Sequence, residues 1–229
     1  MSTDPTMQTR MAVLDLGGVV VRICRSWREA CDAAGVPHAA GVDAALARTD
    51  MQASLRAFQS GHIDAATHFR AVQALVPSYS MQQIERVHEA IILGDYPDIG
   101  VAIDRIHAAG MRTACLSNTN HAHWDGQLRH SPALRRIQLP HASHLMGLVK
   151  PDAAIYRAFE ASAGVRPEEV VYFDDLPEFV SAARACGWRA VLVDHTRDTG
   201  CQVLQALGLH GAPGPTEGPS PKYGAQGPE

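Results

Sequence analysis

The stretch AVLDLGGVVV, residues 12–21, decides the fold. Its uncharged, β-branched run describes a strand buried on both faces, as in a parallel sheet. One acid, Asp15, breaks the run, and two glycines follow. An isolated carboxylate is costly in a dry interior. The acid therefore belongs at the carboxyl end of the strand, read as residues 11–16, with Gly18 making the turn that follows.

Outward from this strand the texture changes twice. Residues 26–93 are helical and Ala-rich, with no convincing strand: SWREACDAAG (26–35), VDAALARTDMQASLRAFQSG (42–61) and DAATHFRAVQALV (64–76) repeat apolar residues at three- and four-residue spacing. Ser80 and Gln83 form a capping box for MQQIERVHEAIIL (81–93). From about residue 96, helices alternate with strands. IGVAIDRIHAAG leads to RTACLS (112–117), PDAAIYRAFEASAG to VVYFDD (170–175), and PEFVSAARACG to RAVLVD (189–194). Glycines 110, 164 and 187 are the expected helix stops. The pattern predicts an α/β fold, a doubly wound parallel sheet with an inserted all-helical cap. The expected divisions are a disordered lead-in (1–10), an α/β core (11–21 and 97–210), a cap (22–96) and a disordered Gly/Pro-rich tail (211–229).

Composition narrows the function. The chain has 229 residues, 46% hydrophobic and 19% charged, so it can bury a sizeable core. With a formal charge of −4 and only scattered Lys and Arg, it lacks the basic footprint of a nucleic-acid partner. No apolar stretch approaches the length of a membrane span. Five cysteines without a CxxC pair, and a polar start without a signal-peptide core, point to reduced thiols and a cytoplasmic protein.

In open α/β sheets, ligands sit beyond the carboxyl ends of the strands. Four such places carry polar residues: Asp15-Leu16-Gly17-Gly18, Ser117-Asn118-Thr119-Asn120, Lys150-Pro151 at a helix start, and Asp174-Asp175. Singly, each reads as a turn, a cap or a surface boundary. Together, three acids, a hydroxyl and a lysine on one rim make an ion site. Hard carboxylate oxygens suit Mg²⁺ beside a phosphate, and this is the equipment of phosphoryl transfer.

The order Asp15, Ser117, Lys150, Asp174-Asp175, with a helical insert after the first strand, resembles the haloacid dehalogenase (HAD) superfamily with a C1-type cap. LSNTN, the KP-x4-Y segment (150–156) and YFDD before a helix resemble the branch of bacterial sugar-1-phosphate phosphatases and epoxide hydrolase N-terminal phosphatase domains. The resemblance implies that Asp15 is the nucleophile, forming an aspartyl-phosphate. It implies Asp15, Asp175 and the Gly17 carbonyl as Mg²⁺ ligands. Ser117, the Asn118 amide and Lys150 would bind phosphate, with Lys150 also catalytic and Asp174 supporting. The substrate would be a small phosphorylated metabolite such as a sugar phosphate.

Two positions depart from the family pattern. A second Asp, acting as general acid and base, usually stands where this chain has Gly17. Phe179 stands where the family often has Asp or Asn, and Glu178 is a candidate substitute. His62 and His68 are candidate proton donors from the cap. His121, His123, His141 and His144 raise the question of zinc, but no cysteine is near them in sequence. His123 and Trp124, just past Ser117, are expected to line the substrate pocket. The expected activity is Mg²⁺-dependent hydrolysis of a phosphomonoester. The alternatives are a metal-free 2-haloacid dehalogenase-like hydrolase, or a low-turnover protein that binds a phosphorylated metabolite.

Overall fold

The computed structural model describes residues 9–209. The expected tail, and most of the expected lead-in, lie outside them. In chain order the strands are β1 (Met11–Leu14), β2 (Val21–Ile23), β3 (Ile92–Asp95), β4 (Arg112–Ser117), β5 (Leu139–Ala142), β6 (Val170–Asp174) and β7 (Arg189–Leu192). Helices α1 (Trp27–Ala34), α2 (Val42–Leu46), α3 (Thr49–Gln59), α4 (Ala65–Leu75) and α5 (Met81–Glu89) lie between β2 and β3. Helices α6 (Ile99–Ala108), α7 (His121–Gly126), α8 (Ser143–Met146), α9 (Ala153–Ala163), α10 (Pro177–Ala185) and α11 (Thr199–Ala206) follow.

Five strands form a parallel sheet in the order β5-β4-β1-β6-β7. This is the expected α/β, doubly wound core. The alternation of side chains along β1 explains both layers. Met11 and Val13 pack with Tyr156, Phe159 and Tyr172 on one face, whereas Ala12 and Leu14 pack with Ile99, Ile103 and Phe173 on the other. Because the chain leaves β1 first toward β4 and later toward β6, a crevice opens at the carboxyl end of β1, the usual ligand position of such sheets.

The inserted helices have their own apolar centre, including Met51, Phe58, Phe69, Val72 and Ile84. Their junction with the sheet differs from the sequence reading. Helix α5 ends at Glu89, and residues 92–95 instead form β3, antiparallel to β2. This ribbon carries both crossings of the chain between sheet and helices. Residues 42–61 form two helices, because Arg48 is extended (φ −64°, ψ 145°). Residues 121–146 contain α7, β5 and α8. Pro140 is tolerated in β5 because that strand is a sheet edge. Among the described residues, no helix is long and apolar enough to cross a membrane.

Candidate active site

Asp15 is the first residue beyond β1, and its backbone N–H still donates to Phe173 O at 2.8 Å. The chain then turns tightly, with the Leu16 carbonyl accepting from Val20 N at 2.9 Å and Val21 N at 2.7 Å. Gly18 takes φ +82°, and a Cβ there would lie 2.5 Å from the Asp175 carboxyl carbon. The turn therefore requires glycine twice over, for its conformation and for the closeness of Asp175. Gly17 has an ordinary φ, and a Cβ on it would meet Ile23 Cδ1 at 3.0 Å. An isoleucine from β2 thus stands beside the position where the family pattern has its second acid.

Lys150 is the centre of the site. Its side chain is fully buried, and Nζ donates to Asp15 Oδ1 at 2.9 Å, Asp174 Oδ2 at 2.7 Å and Tyr172 Oη at 2.8 Å. The ammonium also lies 4.7 Å from the Phe179 ring centroid, within cation–π range. Phe179 thus packs beneath the lysine, and Glu178 is exposed. Burial disfavours the charge on Lys150, but Asp15 and Asp174 outweigh it and hold the pKa above the usual lysine value. Asp15 goes the other way. Burial, only partly countered by Lys150 and reinforced by Asp174, lifts its carboxyl to about 7.

Asp174 is fully occupied by the protein. Oδ2 takes Lys150 and the Tyr172 hydroxyl, and Oδ1 accepts from Leu176 N at 2.8 Å. Asp175 faces Arg25, whose Nη1 is 2.6 Å from Oδ2. Asp15, Asp174 and Asp175 each offer an oxygen within 4.8 Å of the others. Three acids facing two cations leave excess negative charge, and an all-oxygen donor set fits Mg²⁺. Since both oxygens of Asp174 are engaged, Asp15 and Asp175 are the better placed to hold an ion.

Ser117 ends β4 and is 3% exposed. The Asn118 side chain is engaged with the backbone of Lys150, accepting from its N–H at 2.8 Å and donating to its carbonyl at 3.0 Å. This reciprocal pair fixes the lysine, so only the backbone amide of Asn118 is left for a ligand. Gly17, Ser117 and Asn118 line a cavity of about 310 Å³ between the sheet and the inserted helices. His68 and His123 line it too. His62 bonds Ser60 outside it, and Trp124 packs on the His144 ring rather than on the cavity. Burial lowers His68 to about 4 and also lowers His123, so both are neutral near pH 7. Among the described residues the histidines form no metal-binding group; the carboxylate cluster is the group that does.

The sequence reading missed three residues. Tyr172 carried a usable signal, since it sits two positions before Asp174 and so on the same face of β6. Arg25 and Ile23 carried none, because they reach the site through the β2–β3 ribbon.

A family model described as haloacid dehalogenase-like hydrolase matches residues 9–187. A Mycobacterium tuberculosis phosphatase is 28% identical over 136 residues, 59% of this chain and 63% of that protein. The chain thus covers less than two thirds of the length of the curated relatives it matches. A HAD family enzyme of Bacteroides thetaiotaomicron, an Asp-to-Ala mutant solved with magnesium and inorganic phosphate, superposes with a TM-score of 0.71 at 17% identity, covering 83% of this chain and 96% of that one. L-2-haloacid dehalogenase of Xanthobacter autotrophicus, with chloropropionic acid covalently bound, gives a TM-score of 0.61 at 15% identity, covering 81% and 78%. Both structures share the fold. With the sheet, the rim of acids and the buried lysine in place, the family match over most of the chain completes the assignment: this enzyme belongs to the haloacid dehalogenase-like hydrolases.

Proposed function

We propose that the chain is a phosphatase that hydrolyses a small phosphomonoester through an aspartyl-phosphate on Asp15, with Mg²⁺ as cofactor. The observation that carries this reading is Lys150, whose buried ammonium bridges Asp15 and Asp174 at the carboxyl ends of β1 and β6. The phosphatase name of the M. tuberculosis relative and the magnesium and phosphate in the B. thetaiotaomicron structure support it. The five free cysteines fit a reducing, cytoplasmic setting.

In this reading Asp15, ionised, attacks phosphorus; the bond to the leaving oxygen breaks, and that oxygen departs with the electron pair. Water then attacks phosphorus, the bond from phosphorus to the Asp15 oxygen breaks, and inorganic phosphate and a proton are released as the carboxylate returns. Lys150, Ser117 and the Asn118 amide hold the phosphoryl oxygens, and Asp174 with Tyr172 positions the lysine. Asp15, Asp175 and the Gly17 carbonyl would hold Mg²⁺, which offsets charge on the phosphoryl oxygens when bound. Among the described residues the two candidate proton donors are missing: Gly17 has no side chain, and His68, lowered by burial to about 4, is neutral. The reaction therefore favours leaving groups that depart unaided. The sugar-phosphate expectation rests on the family branch alone.

The test is hydrolysis of an aryl phosphate with and without Mg²⁺, by wild type and Asp15→Asn. Metal-dependent turnover lost in the variant upholds the reading. Phosphate binding without turnover would mark a binding protein instead, and metal-free halide release from a 2-haloacid would mark a dehalogenase.

A further inference from the structure

The wall of the 310 Å³ cavity points to a substrate class. Its floor is the phosphate end of the site, Gly17, Ser117 and Asn118; above it rise Met51, Leu55, Phe69, Val72 and Ile84 from the inserted helices. Among the described residues lining it there is no Asp, Glu, Lys or Arg. Many of its polar groups are already paired within the protein. Gln52 donates to Leu46 O at 2.8 Å, His68 bonds Ser54 at 2.9 Å, and His88 and His123 bond each other at 2.9 Å. Asn118 is tied to Lys150. Among the described residues lining it, Trp27 Nε1 and Thr119 Oγ1 are buried without a protein partner. These are too few for the several hydroxyls of a sugar, most of which would lose water without gaining partners.

Size and leaving-group chemistry agree with the wall. An apolar cavity of ~150 Å³ holds one benzene ring, so this one accommodates a one- or two-ring group. The apolar Ile23 side chain stands beside Gly17, where the family pattern has an acid. An aryloxide, with a pKa of roughly 10, leaves without a proton far more readily than an alkoxide.

We propose that the natural substrate is the phosphate monoester of an aromatic or otherwise apolar alcohol rather than of a sugar. This rests on the phosphatase reading above for the chemistry, and on the cavity for the selectivity.

The experiment compares 1-naphthyl phosphate, phenyl phosphate and glucose 1-phosphate. The two phenolic leaving groups are of similar acidity, so their ratio reads the cavity rather than the bond being broken. A second ring in an apolar pocket should raise kcat/KM by ~10-fold or more, with glucose 1-phosphate the poorest of the three. Calorimetric binding of 1-naphthylmethylphosphonate, which cannot be hydrolysed, gives a readout independent of turnover. Leu55→Trp, at a half-buried position on α3, should cut the naphthyl-to-phenyl ratio and weaken the phosphonate by about fivefold or more, in line with the sensitivity of apolar pockets to small volume changes. Leu46→Trp on α2 repeats the test should Leu55→Trp fail to fold. Preference for glucose 1-phosphate, or a ratio unchanged in folded variants, overturns the proposal. Hydrolysis of all three esters with no phosphonate bound also overturns it and leaves the phosphatase reading intact. Phosphonate binding that depends on Leu55, with no ester hydrolysed, upholds the pocket and overturns the phosphatase reading.

Discussion

Restoring an acid at position 17 is the sharpest perturbation of this site. Gly17→Asp meets no backbone barrier, because Gly17 is not in the left-handed region; its neighbour Gly18 is, at φ +82°. The obstacle is steric and small. The new Cβ would lie 3.0 Å from Ile23 Cδ1, so the tip of one flexible side chain must yield by a few tenths of an ångström. The single variant should fold, and Gly17→Asp with Ile23→Ala should place the carboxyl without strain. General acid catalysis is worth ~10²–10⁴ in rate, and the gain belongs to esters whose leaving oxygen needs a proton. The assay is kcat/KM across phosphate monoesters from nitrophenol to simple primary alcohols. On a plot of log kcat/KM against leaving-group pKa, the wild type should fall steeply. The double variant should be flatter, gaining ~10²-fold or more at the alcohol end and little at the nitrophenol end. A line of unchanged slope in a folded double variant, whether raised or not, would refute the claim that the proton donor is the missing part.

Asp15 also contributes to the pH dependence of stability. Its carboxyl is lifted from 3.8 to about 7 on folding, so the folded state binds this proton more tightly than the unfolded state. Its contribution is complete below pH 4 and is lost as pH rises through 7. Metal-free Asp15→Asn should therefore be more stable than wild type at pH 8, by a margin that shrinks as pH falls to 4. Thermal melts in EDTA check this, and a less stable variant at pH 8 would contradict it. Lys150→Met removes the cation beside the developing phosphoryl charge and should lower kcat by ~10²–10³, as loss of one preorganised electrostatic donor does. A loss under tenfold would remove the lysine from the chemistry. Arg25→Gln frees the buried Asp175 carboxylate of the guanidinium 2.6 Å away that competes with an ion for it, so Mg²⁺ should bind more tightly by calorimetry. Weaker binding would mean that Arg25 holds Asp175 in place for the ion.

The fold was largely legible because the sheet writes itself in long buried runs. The segments that became β4, β6 and β7 could be read from apolar runs entered from glycine-terminated helices, and the site acids stood at the ends of such runs. Residues 92–95 could not be read this way. IIL continues the apolar periodicity of α5, and a strand of four residues has too short a pattern to compete with it. LPHA in β5 was hidden by its proline, which only an edge position permits. Lys150 was legible as a motif, but its two acids, its tyrosine and the ring of Phe179 meet only in the folded chain. Arg25 is 150 positions from Asp175, and no local pattern joins residues so far apart. Phe179 looked like a lost polar group in sequence; in the structure it supports the lysine.

The central claim is that Asp15 becomes phosphorylated. Rapid acid quench of the Mg²⁺-loaded enzyme with ³²P-labelled aryl phosphate, followed by peptide mapping, tests it directly. The account predicts label on the peptide containing residues 12–21, stable to acid and released by hydroxylamine, as an acyl phosphate should be, and absent from Asp15→Asn. Hydrolysis proceeding in the variant, or label on a different residue, would contradict it.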